Sequence, residues 1–223
     1  MHVGFILDGN RRWAKKQGKN SFFGHQAGIK NFEEISEFCV QNSEINEISA
    51  FALSTENLKN RTKIELRNLF AIFSRFVKKN QKKFLQQKTK VKFLGNLDLL
   101  PKSLQQDFFE LEKKTAKILQ PNLKLNLAVA FGGRDDIFRA AEKLKNSSEK
   151  FCLENLEKFL DSGGSNLDLL IRTGGKNRIS NFMLWESAYC EIFFSEKLWP
   201  DFKIKDLQNA INFFKKTKRN FGK

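Results

Sequence analysis

Val3-Gly4-Phe5-Ile6-Leu7-Asp8-Gly9-Asn10-Arg11-Arg12-Trp13 decides how the rest of the chain is read. Its first five residues form an apolar run of the length of a buried strand, and Ala14-Lys15-Lys16 beyond it suits a basic helix. A strand that passes through Asp-Gly-Asn into a helix leaves a carboxylate at its carboxyl end, the edge where open α/β sheets hold ligands. Backbone N–H groups of the following turn, helped by Arg11 and Arg12, suit an anionic group. The same residues also fit a plain βα turn followed by a solvated basic helix, so the other strands must decide.

Working outward, helical and strand patterns alternate along the whole chain, which predicts a mainly parallel sheet covered by helices. Gly24 to Gln41 reads as a helix with Ala27, Phe32, Ile35 and Cys39 along one side. Ile48–Leu53 is a second strand, and Lys63 to Gln87 a long helix striped by Leu66, Leu69, Phe70, Phe73, Val77 and Phe84. Val91–Gly95 is a third strand. A second long helix starts near Pro101, with Leu104, Phe108, Leu111 and Ile118 on one face. Leu123–Phe131, Leu167–Ile171 and Ile192–Phe194 complete six strands, with helices at Asp136–Leu144 and from Ile204 to about Lys218. Residues 1–223 therefore read as one α/β domain. Both long helices exceed the usual ~11–12 residues; splayed over the sheet, they would enclose a hydrophobic cleft.

A net charge of +15 calls for an anionic partner: nucleic acid, an anionic membrane surface or a phosphate-bearing substrate. No RNA-binding aromatic signature, zinc-finger spacing or basic arm is present. Cys39, Cys152 and Cys190 are isolated, which argues against a disulfide framework or zinc site and for a reducing, cytoplasmic setting. Neither a signal peptide nor a membrane-spanning run is expected, so any membrane contact is peripheral. Phe occurs 24 times against a single Tyr. That excess fits either an aromatic core or an apolar wall around a long ligand.

Residues just beyond the strands converge chemically. Asp8, Asn10, Arg11 and Arg12 follow the first strand; Ser54, Thr55, Glu56, Asn57 and Arg61 follow the second. Gly132-Gly133-Arg134 ends the fourth, and Arg172-Thr173-Gly174-Gly175, with Arg178 and Ser180, the fifth. Parallel strands bring these ends to one rim, where arginines, hydroxyls and turn glycines suit phosphate. No phosphate-loop, dinucleotide or serine-hydrolase motif occurs. With only His2 and His25, a metal would take oxygen ligands, which beside diphosphate means Mg²⁺. Asp8 and Glu191 are the candidate ligands.

His2–Trp13, Phe23-Gly24-His25, Ser54-Thr55-Glu56-Asn57, Phe131-Gly132-Gly133-Arg134 and Asp168–Glu191 together resemble the cis-prenyltransferases. The block Ile171–Gly175 through Arg178-Ile179-Ser180-Asn181-Phe182, Leu184-Trp185 and Tyr189 is the most specific, and the resemblance runs to Arg219–Gly222. It implies Mg²⁺-dependent extension of an allylic diphosphate, such as farnesyl diphosphate, by isopentenyl diphosphate units. The product expected is undecaprenyl diphosphate, a lipid carrier precursor for cell-wall polysaccharide. By resemblance, Asp8 is the essential acid and a Mg²⁺ ligand, and Glu191 the second metal-associated carboxylate. Gly9, Asn10, Arg11, Arg12 and Trp13, with His25, would cradle the allylic diphosphate. Ser54, Thr55 and Glu56 line the same rim, and Asn57 holds the position often assigned as proton acceptor. Arg172, Arg178, Ile179 and Ser180 match the isopentenyl diphosphate site, and Arg61 takes a basic role from a segment shifted by one. Ser21, Leu58 and Asn177 depart from the usual Arg, Trp and His. The family also implies a homodimer, with Arg219–Gly222 near the contact.

Two rivals stay open. A short- or medium-chain synthase has the same motifs, since product length depends on the closed end of the cleft. A basic nucleic-acid-binding domain would show steep salt dependence and indifference to Asp8→Ala.

Overall fold

The computed structural model describes residues 1–217. Six strands form one sheet: β1 (His2–Ile6), β2 (Glu47–Ser54), β3 (Thr89–Leu94), β4 (Leu123–Phe131), β5 (Leu169–Arg172) and β6 (Glu191–Phe194). The order is β3-β4-β2-β1-β5-β6, and every adjacent pair is parallel. Central β1 and β5 are buried at every position, as strands covered on both faces must be.

Eight α-helices accompany the strands among the described residues: α1 (Asn10–Lys16), α2 (Ser21–Gln41), α3 (Thr55–Asn60), α4 (Lys63–Gln86), α5 (Lys102–Thr115), α6 (Gly133–Lys145), α7 (Leu153–Phe159) and α8 (Ile204–Lys216). The expected helix from Gly24 begins three residues earlier because Asn20 caps it, accepting from the Phe22 and Phe23 N–H groups. Thr62 and Glu65 form a reciprocal capping box that starts α4. The helix after Pro101 stops at Thr115, so Ile118 lies beyond it. There the Thr115 hydroxyl accepts from Val91 N, tying the helix end to β3. The Arg219–Gly222 stretch and the expected helix end near Lys218 lie outside the described residues.

Two apolar layers result. The larger joins one sheet face to α2, α4, α5 and α8 through Phe5, Phe32, Phe76, Phe108, Trp199 and Leu207. The smaller packs Ile6, Leu94 and Leu170 against Phe131, Phe182 and Met183. At the amino-terminal rim, His2, Ser49, Glu47, Asn126 and Ser165 form a buried hydrogen-bonded network. His2 is thus a structural tie at the rim opposite the strand ends. From β1 the chain moves to β2 on one side, whereas β5 leads to β6 on the other. The crevice beyond β1 and β5 is therefore the topological switch point, the usual place for a ligand in such sheets.

Candidate functional site

Asp8 and Arg172 flank that switch point. Parallel pairing sets Ile6 beside Arg172, so Asp8 stands just past the end of β5. Arg172 is buried and donates from Nη2 to Asp8 Oδ2 at 2.9 Å. Its Nη1 donates to the Arg178 carbonyl and to Ser180 Oγ, each at 2.6 Å, while Nε has no partner. Arg12 reaches the other Asp8 oxygen at 3.1 Å. Gly174, with φ of 88°, makes that reach possible, because a Cβ there would lie 2.5 Å from Arg12 Nη2. Asp8 is further fixed through its backbone carbonyl, which accepts from Thr173 Oγ1 and Trp199 N.

The β2 rim supplies the facing wall. Ser54 Oγ caps α3 by accepting from Asn57 N. This sets Glu56 and Asn57 on the first turn, lining an open polar mouth with Asp8, Arg172 and Ser180. The mouth has a volume of about 570 Å³. Asn181 completes it. Its Nδ2 donates to Glu56 Oε1 at 3.0 Å, its Oδ1 accepts from Arg134 N at 3.0 Å, and its carbonyl accepts from Gly133 N at 2.7 Å. Ser180, Asn181 and Met183 all have positive φ, which costs a residue other than Gly or Asn about 1–2 kcal/mol. Such strain persists only where surrounding contacts impose it. The clue in the sequence was the Ser-Asn pair itself, since Asn tolerates this conformation.

A dry cleft continues from the mouth. Leu7, Phe51 and Ala52 line both spaces. Behind them lie Phe32 from α2, Leu69, Phe73 and Phe76 from α4, and Phe93 and Phe108, whose stacked rings are 3.8 Å apart. The expected apolar cleft is present, but its walls differ from the expected pair. Helix α2 faces α4 across it, and α5 contributes Phe108 at its depth. The Phe excess is divided between this wall and the second layer, where Phe51 stacks on Phe182 at 4.7 Å.

His25 and Asn10 line the cleft, and the charges of Arg61 and Arg11 act on His25. The Arg61 guanidinium is mostly buried, and its Nε and Nη1 are unpartnered. Burial lowers its pKa most; the Glu65 carboxylate, itself 3.6 Å from Arg11, opposes this, and the Arg11 charge adds to it. His25 is pushed down to about 4 by burial first, then by Arg61 and Arg11, so it is neutral near pH 7. Unsatisfied buried donors beside a neutral imidazole form a site prepared for an anion. The shifted segment thus sets the Arg61 charge near His25, and Leu58 packs on the core in place of the usual Trp.

Three expectations change. Glu191 pairs with Leu169, which pairs with Val3, at the opposite end of the strands from Asp8. Five residues along the sheet, roughly 15 Å, separate the two levels. Asp8 and Glu191 of one chain therefore cannot share a metal ion. The turn glycines were expected to offer amides to phosphate, yet Gly133 N and Arg134 N donate to Asn181, Gly174 N to Lys197, and Gly175 N to Ser195. Those four amides are therefore already occupied within the protein. Trp13, expected in the allylic cradle, donates its indole N–H to Asp201 Oδ1 at 2.8 Å and so braces α1; like Arg11, Arg12, Arg61 and Arg178, it lines neither space.

Among the described residues no cluster of three or more His, Cys, Asp or Glu is arranged for a metal ion. Asp8 offers one carboxylate in an open mouth. That donor set fits Mg²⁺, which characteristically takes one or two carboxylates and completes its shell with substrate phosphate oxygens and water.

The comparisons point one way. Residues 6–222 match the family model described as putative undecaprenyl diphosphate synthase. The isoprenyl transferase of Aquifex pyrophilus is 42% identical over 224 residues, covering 100% of this chain and 95% of that protein. Lavandulyl diphosphate synthase from Lavandula x intermedia, solved with dimethylallyl diphosphate, superposes with a TM-score of 0.92 at 33% identity, covering 100% of this chain and 98% of that one. A probable undecaprenyl diphosphate synthase from Campylobacter jejuni gives 0.84 at 32% identity, with the same coverage.

Proposed function

The chain belongs to the cis-prenyltransferase family, and from that premise we propose that it adds isopentenyl diphosphate units successively to farnesyl diphosphate, making undecaprenyl diphosphate as the lipid carrier precursor for cell-wall polysaccharide. The observation that carries this reading is the continuity of the polar mouth with the aromatic cleft through Leu7, Phe51 and Ala52. Charged diphosphates are gripped at one end, and hydrocarbon is sheltered at the other.

In this reading Arg11, Arg12, Arg61 and neutral His25 hold the allylic diphosphate, while Arg172, Arg178 and Ser180 hold isopentenyl diphosphate. The allylic C–O bond breaks with its electron pair leaving on diphosphate, and the isopentenyl double bond supplies the electrons of the new C–C bond. One proton then leaves the extended unit and re-forms its double bond. Asn57 is a weak base; it orients the isopentenyl group and passes that proton toward the departing diphosphate. The guanidinium groups stabilise charge as it develops on the leaving group. Mg²⁺ held by Asp8 supplies further neutralisation of that charge. Each unit then moves into the cleft, where burial of roughly 0.8 kcal/mol per CH₂ keeps the chain bound.

Activity is expected in a homodimer, in the cytoplasm, with peripheral contact to anionic lipid. Consistent with this, no helix among the described residues is long and apolar enough to cross a membrane, and the charge of +15 suits an anionic surface.

A second reading, a short-chain synthase, has one observation in its favour. The free lumen of the cleft is about 90 Å³, against about 570 Å³ in the polar mouth. One experiment separates the two. Purified protein with Mg²⁺, farnesyl diphosphate and labelled isopentenyl diphosphate is expected to yield long-chain products on reversed-phase chromatography. Products stopping after one or two additions would select the short-chain reading, and no incorporation with any allylic primer would overturn both.

A further inference from the structure

We propose that Asn181 is a positioning residue that locks the Arg178–Ser180 loop to the Glu56 wall, so that the pocket read as holding isopentenyl diphosphate keeps its shape. This rests on the reading above for what the pocket binds, though not for the lock itself. Asn181 uses both polar atoms of its side chain, and its carbonyl, in different directions. It donates to Glu56 beyond β2, accepts from Arg134 N beyond β4 through its side chain, and accepts from Gly133 N through its backbone. Its neighbour Ser180 accepts from Arg172, which also holds Asp8. Asn181 thus links the ends of β2 and β4, and Ser180 beside it links through Arg172 to those of β1 and β5.

The surroundings are shaped to this contact. A Cβ on Gly132 would lie 2.9 Å from Asn181 Nδ2 and 2.8 Å from Thr55 Oγ1, so only Gly leaves room for the lock. Asn181 has φ of 63°, a conformation that Asn and Asp adopt far more readily than other side chains. The lock also depends on polarity, because one atom must donate to a carboxylate while the other accepts a backbone N–H. An amide does both. Phe182, stacked on Phe51, anchors the segment independently, so an altered residue 181 does not release the loop from the core.

Asn181→Asp isolates the donor. It keeps size, left-handed tolerance and the acceptor for Arg134 N, but sets a carboxylate against Glu56. Glu56→Gln in the same chain returns a donor with the direction reversed. In steady-state assays Asn181→Asp is expected to raise KM for isopentenyl diphosphate about tenfold while altering kcat and the farnesyl diphosphate KM by less than about threefold. Introduced beside Glu56→Gln, the same change is expected to raise that KM by less than about threefold relative to Glu56→Gln alone. Equal losses in both backgrounds, or a parallel fall in kcat and melting temperature, would overturn the lock and leave a structural role. Calorimetric titration with inorganic diphosphate reads the same cycle without turnover. If the wild-type chain does not incorporate isopentenyl diphosphate, the functional reading fails, and the lock still stands or falls on the diphosphate affinities.

Discussion

Arg172 joins Asp8 at 2.9 Å across the crevice between β1 and β5, and of the pair only the guanidinium is fully buried. The carboxylate is the half-exposed partner and the one open to the mouth. A buried guanidinium that loses its counter-charge has few ways to recover it. Asp8→Ala is therefore expected to destabilise the fold by about 1–3 kcal/mol in addition to abolishing turnover. Asp8→Asn, which keeps a hydrogen-bond acceptor, should cost less than half as much. Urea unfolding of the three proteins checks this, and an Asp8→Ala variant as stable as wild type would show that the pair adds nothing to folding.

Close approach of α1 to α2 rests on two glycines. A Cβ on Gly24 would collide with the Asn10 backbone carbonyl, whereas one on Gly28 would meet the Asn10 side-chain oxygen. A side chain can rotate away; a backbone carbonyl moves only with its helix. Alanine gains about 1 kcal/mol of helix propensity over glycine, but overpacking costs about 1–3 kcal/mol or more. Gly24→Ala is expected to lower stability more than Gly28→Ala, and to raise the farnesyl diphosphate KM because Asn10, Arg11 and Arg12 move with α1. Thermal melts and kinetics measure both, and the reverse ranking would refute the steric account.

On the opposite sheet face, Asp136 is pushed up to about 7, first by burial and then by the Asp161 charge, which together outweigh Arg139. Its Oδ1 accepts from Asp161 N and Arg139. The unfolded chain releases this proton near pH 4 and the folded chain only near 7. Between those values the folded state binds more protons, so this group's contribution to stability declines as pH rises. Asp136→Asn retains the acceptor without the charge. Its melting temperature is expected to exceed that of wild type by about 3 °C or more at pH 8, with the gap closing toward pH 4.5. A gap independent of pH would rule out this titration.

Much of the site was legible because parallel strands share one carboxyl rim, and the residues just past each strand can be read directly from the chain. Asp8, Ser54, Glu56, Asn57 and Arg172 were found in this way. Glu191, expected with Asp8 as a metal-associated carboxylate, lies apart from it within one chain for the converse reason. It stands at the head of β6, and the head of a parallel strand belongs to the far rim. The glycines were correctly singled out but given the wrong task, because the acceptors that occupy their amides come from loops distant in sequence, at Asn181, Ser195 and Lys197. Which two helices face each other across the cleft was equally hidden. An apolar stripe shows that a helix is covered without naming what covers it.

Helix α2 carries His25 at the charged entrance and Phe32 on the apolar wall, two turns lower. Those seven residues span about 10 Å of rigid rod, and a rod displaced at one point is displaced along its length. A bulkier guest wedged beside Phe32 must therefore tug on the imidazole above it.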